Sequence, residues 1–159
     1  MTNAAAIILA AGRGKRMKSA LPKVAHAVAG KPMLWRVAAA ARAAGIPEIV
    51  FVLGHGREAL AETAARFGGR VAVQERPLGT GDAARCGLAA VPPGVRDVVI
   101  LCGDAPLIRP ATIRRLAAAR RRRNAAASVL TGWLPDPRGY GRVVRDDEGN
   151  VGRIVEEAD

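Results

Sequence analysis

At 159 residues, half of them apolar, the chain suits one domain with a sizeable buried core, and its composition excludes a disordered or fibrous protein. Its two cysteines, Cys86 and Cys102, sit at no metal or redox spacing. That excludes a disulfide-framed scaffold and predicts free, largely buried thiols in a reducing compartment. The net charge of +11 is uneven: residues 1–47 hold eight cations and no acid, which suggests an anionic partner for the N-terminal third.

The apolar run Ala4–Ala11 is too short for a signal or a membrane span and follows no basic segment. A cytoplasmic protein away from membranes is expected. Within the run, Ala5–Leu9 reads as a strand buried on both faces. Met33–Ala44 reads as a helix with Met33, Leu34, Val37, Ala38 and Ala41 on one side and Gly45 as its stop. Glu48–Leu53 is a second strand, Arg57–Phe67 a second helix closed by Gly68-Gly69, and Arg70–Gln74 a third strand. Gly81–Ala90 is a third helix, entered through the turn Pro77-Leu78-Gly79-Thr80. Asp97–Leu101 is a fourth strand, and Pro110 opens a helix over Ala111–Arg123. Ala126–Trp133 reads as a fifth strand, and Arg142–Arg145 with Val151–Val155 as a hairpin around Asp-Asp-Glu-Gly-Asn.

Strands alternating with helices predict a Rossmann-like α/β fold: a doubly wound, mostly parallel sheet in three layers, α/β/α. Ligands of such sheets bind beyond the carboxyl ends of the strands. The loops at 10–23, 75–80 and 102–107 all leave such ends and are expected to converge. Residues 1–159 read as a single domain without repeat or linker, shortened at its C-terminal end because the chain stops just after a strand.

Five cations, Arg13, Lys15, Arg16, Lys18 and Lys23, follow the first strand and the small residues Ala10-Ala11-Gly12. Small residues let backbone N–H groups approach an anion, and the cations neutralise it, so the loop suits a polyphosphate. It is neither a dinucleotide fingerprint, since position 17 is Met, nor a Walker A loop, since Gly30-Lys31 is followed by Pro32. Asp104 follows the fourth strand, where a carboxylate suits either a divalent metal or a turn cap. A basic loop and one carboxylate together meet the needs of nucleotidyl transfer. Gln74 ends the third strand, and its amide can read a nucleobase edge. Gly79 allows close approach, and Thr80 offers a hydroxyl. Taken alone, that segment is also an ordinary turn. Gly139-Tyr140-Gly141-Arg142 with Glu156 could line a sugar pocket; taken alone, Gly-Tyr-Gly is a turn. Arg114, Arg115 and Arg120–Arg123 make a basic helix end that reads as a solvated face, with weak RNA binding as its alternative. No aromatic platform accompanies them, which disfavours nucleic acid.

Leu9-Ala10-Ala11-Gly12, Arg16 and Leu21-Pro22-Lys23 together resemble the signature loop of the sugar-1-phosphate nucleotidyltransferases. Gln74, Leu78-Gly79-Thr80-Gly81, Gly103-Asp104-Ala105-Pro106-Leu107, Gly139-Tyr140-Gly141-Arg142 and Ile154-Val155-Glu156 are similar to the uridylyltransferase domain of its bifunctional members, which also carry an acetyltransferase β-helix. The chain is expected to lack that β-helix, and no oligomer is implied without it. The resemblance implies conversion of UTP and N-acetylglucosamine 1-phosphate to UDP-N-acetylglucosamine, a cell-envelope precursor, and pyrophosphate, with Mg²⁺. It implies catalytic roles for Arg16 and Lys23 and nucleotide contacts from Leu9, Ala10, Ala11, Gly12, Gln74, Gly79 and Thr80. It implies sugar contacts from Cys102, Gly103, Gly141 and Glu156, and Asp104 as metal ligand. The sequence departs from the family pattern at Pro77, Asp82, Cys102 and Ala158, where Gln, His, Tyr and Lys are usual. A nucleotide-binding fragment without turnover, or a transferase for another nucleotide or sugar, are the alternative readings.

Overall fold

Strand β1 (Ala4–Ala10) is apolar throughout because it lies in the middle of a sheet with helices on both faces. The computed structural model describes residues 1–12, 14 and 17–157. By compactness these fall into two units, Met1–Ala125 and Ala126–Asp159.

In the first unit, β1 pairs in parallel with β4 (Glu48–Leu53) on one side and β6 (Asp97–Cys102) on the other. Strand β5 (Arg70–Val73) adds to β4, again in parallel, for the order β5-β4-β1-β6. Side-chain alternation splits the core in two. Ala4, Ala6, Ile8 and Ala10 point to one face, with Ile49, Phe51 and Leu53 beside them. That face is covered by Leu34, Val37 and Ala41 of α1 (Met33–Ala43), Leu60 and Ala64 of α2 (Glu58–Arg66), and Ile113 of α4 (Pro110–Arg122). Ile7, Val50, Val52 and Ala72 point the other way, against Ala83 and Cys86 of α3 (Thr80–Ala89). The expected three-layer α/β/α fold is therefore present.

Alanine-rich helices can approach a sheet closely, and α3 comes closest at Gly87. A Cβ built there would lie 2.4 Å from Ile7 Cγ2 and 2.9 Å from Val52 Cγ2. Gly45, at φ +87°, takes the left-handed turn that ends α1. A 3₁₀ turn (Lys23–Ala25) and a two-residue antiparallel ladder of β2 (Ala27–Val28) with β3 (Lys31–Pro32) precede α1. Both are shorter than any period that sequence patterning can reveal.

The basic end of α4 is not simply a solvated face. Arg121 donates to Asp97 Oδ2 through Nε at 2.9 Å and Nη2 at 2.7 Å, and Arg120 Nη2 donates to Asp97 Oδ1. Arg114 Nη1 donates to Ala43 O at 3.0 Å. These arginines tie α4 to the start of β6 and to the end of α1. Cys102 is also corrected: it is exposed, not buried. Strand β6 is a sheet edge whose Val99 and Leu101 face the core. Val98 and Ile100, on the face it shares with Cys102, stay exposed.

In the second unit, β7 (Arg142–Arg145) and β8 (Val151–Val155) form the expected antiparallel hairpin, with Arg142 opposite Val155. The expected strand Ala126–Trp133 is absent: these residues have no regular structure, and Val129, Leu130 and Trp133 are exposed. An apolar run has the propensity to be a strand, but only hydrogen bonding to a neighbour makes it one. Among the described residues no sheet takes in a strand from this segment. No described helix is long and apolar enough to cross a membrane.

Candidate active site

The chain runs from β1 outward to β4 and β5, then returns to the far side of β1 as β6. Strands β1 and β6 thus lie side by side in parallel, and the loops at their carboxyl ends meet at the point where the strand order reverses, the place where such sheets form a ligand crevice. The pairing of Leu9 with Cys102 sets Ala10–Gly12 beside Gly103 and Asp104. Gly103 N donates to Leu9 O at 2.9 Å, and a Cβ on Gly103 would lie 2.8 Å from that same oxygen. Only glycine allows this approach, which places Asp104 at the rim.

Lys23 Nζ, at the start of the 3₁₀ turn, donates to Asp104 Oδ2 at 2.7 Å. The residues are 81 positions apart, and each side chain is about 40% exposed. Gly14 lies against Lys23: its φ is +58°, and a Cβ there would sit 2.7 Å from Lys23 Cβ. The opposite wall is built by Gln74, whose N–H donates to Leu53 O at 2.8 Å, continuing β5 against β4. Its side-chain Nε2 donates to Gly79 O at 3.1 Å and to Asp82 Oδ2 at 2.8 Å. Gly79 caps α3 at φ +102°.

The resulting cleft measures about 430 Å³ and is lined by Leu9, Ala10, Ala11, Gly12, Lys23, Gln74, Gly79, Thr80, Cys102 and Asp104, among others. The three loops expected to converge do so. Gly103 supports the rim through its bond to Leu9. Gly141 and Glu156 meet within the second unit, where a Cβ on Gly141 would lie 3.2 Å from Glu156 Oε2. Arg16, with Arg13, Lys15 and Ala158, lies outside the described residues. The Lys23–Asp104 pair and the clasp of Asp82 on Gln74 were not anticipated, since each joins distant or adjacent loops through side chains alone.

Hydrogen bonds from Gln74 and then Arg85 hold the Asp82 carboxyl below its ordinary range. Partial enclosure and then the charge of Asp104 push the Cys102 thiol up, so it stays protonated at neutral pH. Among the described residues no three His, Cys, Asp or Glu side chains cluster as a metal cage. Asp104 supplies one carboxylate to the cleft, with Oδ1 free of the Lys23 bond. This donor set does not fit a metal held by protein alone. It fits a hard cation that takes one carboxylate and fills its other positions with substrate phosphates and water.

A parallel sheet with a cleft of this size at its switch point defines a nucleotide-handling α/β domain. The chain belongs to the MobA-like NTP transferase domain family, whose model matches residues 6–142. It is 52% identical over 163 residues to the bifunctional protein GlmU of Trichlorobacter lovleyi, an alignment covering all of this chain and 35% of that protein. The chain thus spans about a third of the length of the curated relatives it matches. A nucleotidyl transferase from Methanothermobacter thermautotroptrophicus superposes with a TM-score of 0.67 at 25% identity, covering 89% of this chain and 70% of that one. Rv0371c from Mycobacterium tuberculosis gives a TM-score of 0.63 at 31% identity over 74% of this chain and 59% of its own; a second structure of that protein is a manganese complex.

Proposed function

We propose that this chain is a nucleotidyltransferase domain of uridylyltransferase type, joining UTP and N-acetylglucosamine 1-phosphate into UDP-N-acetylglucosamine and pyrophosphate. The observation that carries the reading is the meeting of Lys23 and Asp104 in a cleft whose far wall is the buried amide of Gln74. The kinship with GlmU supports the choice of substrates.

In this reading the backbone of Leu9–Gly12 and the ammonium of Lys23 receive the triphosphate, with Arg16 as a further cation. Gln74, Gly79 and Thr80 receive the uridine. A phosphate oxygen of the sugar phosphate attacks the α-phosphorus of UTP, the bond to the β-phosphate oxygen breaks, and pyrophosphate leaves. No bond to the protein forms. Lys23 offsets the negative charge that builds on the α-phosphate and on the leaving group. A Mg²⁺ ion held by Asp104 would add Lewis-acid stabilisation of the same phosphates. Cys102 and Gly103 are the sugar-side residues of the first unit; the sugar roles of Gly141 and Glu156, within the second unit, rest on the family resemblance alone.

The test is pyrophosphate release from UTP, N-acetylglucosamine 1-phosphate and Mg²⁺. Release with UTP above CTP and GTP supports the reading; a folded protein that releases none overturns its catalytic part. Asp104 is the one carboxylate among the described residues that line the cleft, which favours a second reading, nucleotide binding without turnover. Stabilisation by UTP, about 2.7 kcal/mol at a hundred times its Kd, with no pyrophosphate formed, is its signature.

A further inference from the structure

Gln74 is 7% exposed, and its amide is tied down on one side only. Both partners of Nε2, the carbonyl of Gly79 and the carboxylate of Asp82, are acceptors without a hydrogen to give. The amide can satisfy them in one orientation alone, with its NH₂ group turned towards them. Both amide hydrogens are then committed. No described residue donates to Oε1, which is therefore the atom of this cleft-lining side chain left for a ligand.

Asp82 is itself held. It lies in the first turn of α3, where a carboxylate suits the helix dipole. Arg85, one turn on, donates through Nη2 to Oδ1 at 2.7 Å, while Oδ2 takes the Gln74 hydrogen. The Asp82 side chain is 16% exposed, so water competes little for it. Arg85, Asp82 and Gln74 thus form a relay that ends in a fixed acceptor at the cleft.

A fixed acceptor distinguishes the two pyrimidines. Uracil carries a hydrogen on N3 and cytosine a lone pair, so in one and the same register uracil donates to Oε1 and cytosine meets it lone pair to lone pair. A Gln free to turn would present its NH₂ group to cytosine equally well. We propose that Asp82 is a positioning residue for base specificity: it locks the Gln74 amide with Oε1 towards the cleft and so selects uracil over cytosine. The inference rests on the reading of the cleft as a nucleotide site.

The test is calorimetric titration of the whole chain with UTP and with CTP, which needs no turnover. Wild type is expected to bind UTP at least tenfold more tightly. Asp82→Asn keeps the shape but can donate as well as accept, so Gln74 regains its second orientation and the UTP-to-CTP ratio should fall about tenfold. Asp82→Ala leaves the Gly79 carbonyl as the one acceptor for the amide, so it should lower the ratio in the same direction by a smaller factor, and it serves if the first variant does not fold. In a Gln74→Ala background neither change should move the ratio further. A ratio unmoved by both Asp82 variants, or moved equally without Gln74, overturns the positioning role. Equal wild-type binding of UTP and CTP overturns the selection. Failure of the wild type to bind any nucleoside triphosphate overturns the nucleotide-site reading itself, and is told apart from the other failures by that.

Discussion

Lys23 and Asp104 separate stability from function at the scale of single residues. Their ion pair is short but about 40% exposed on each side, and pairs so exposed contribute roughly 0–1 kcal/mol. Asp104→Asn should therefore leave the thermal midpoint within a few degrees of wild type while abolishing pyrophosphate release. A large drop in the midpoint, or retained turnover, would count against the assignment. The sequence marks both residues as chemical candidates, because a lone carboxylate after a buried strand and a lysine in a basic loop are readable one at a time. It does not show that they touch, since the 81-residue separation closes only when β1 and β6 lie side by side. Gln74 is similar: its place at a strand end is legible, but its orientation is fixed by Asp82, which patterning marks only as an acidic residue in a helical turn.

Helix α3 and strand β6 show how elements are held at different cost. Gly87 lets α3 settle onto Ile7 and Val52, both fully buried and unable to withdraw. Gly87→Ala should destabilise the protein by about 1–3 kcal/mol, read as a lowered urea midpoint, although alanine favours helix. An unchanged or raised midpoint would show that the helix can shift. Asp97 holds α4 to β6 through Arg121 and Arg120, and those bonds keep its carboxyl below its ordinary value of 3.8. A depressed folded pKa gives stability that is present above the unfolded value and lost as pH falls through the folded one. Asp97→Asn should therefore cost about 1–2 kcal/mol at pH 7, a deficit that shrinks below pH 3.8. A deficit that is constant with pH would mean that charge is not involved. The helices and core strands are legible because their apolar periods are long and consistent. The run at 126–133 misleads because its composition matches a strand while its pairing partner is a matter of tertiary contact.

The whole molecule divides into a first unit built round four parallel strands and a second built on one two-stranded hairpin. Residues 125–141 carry no helix or strand and are mostly exposed, with the Arg138 side chain 83% exposed. Backbone so placed opens readily, so limited trypsin treatment should cut at Arg123 or Arg138 before it cuts within the sheet. Cleavage at Arg66 or Arg70 first would contradict that order. At this scale the amino-acid sequence alone determined the α/β class, the basic N-terminal third and the loops that carry chemistry. Each rests on local pattern: apolar period, charge spacing and glycine at turns. Tertiary structure alone decided which residues meet. The strand order β5-β4-β1-β6 brings the ends of β1 and β6 together, sets Lys23 on Asp104 and lets α3 clasp Gln74. Those contacts depend on distances across the sheet, which no one-dimensional pattern contains.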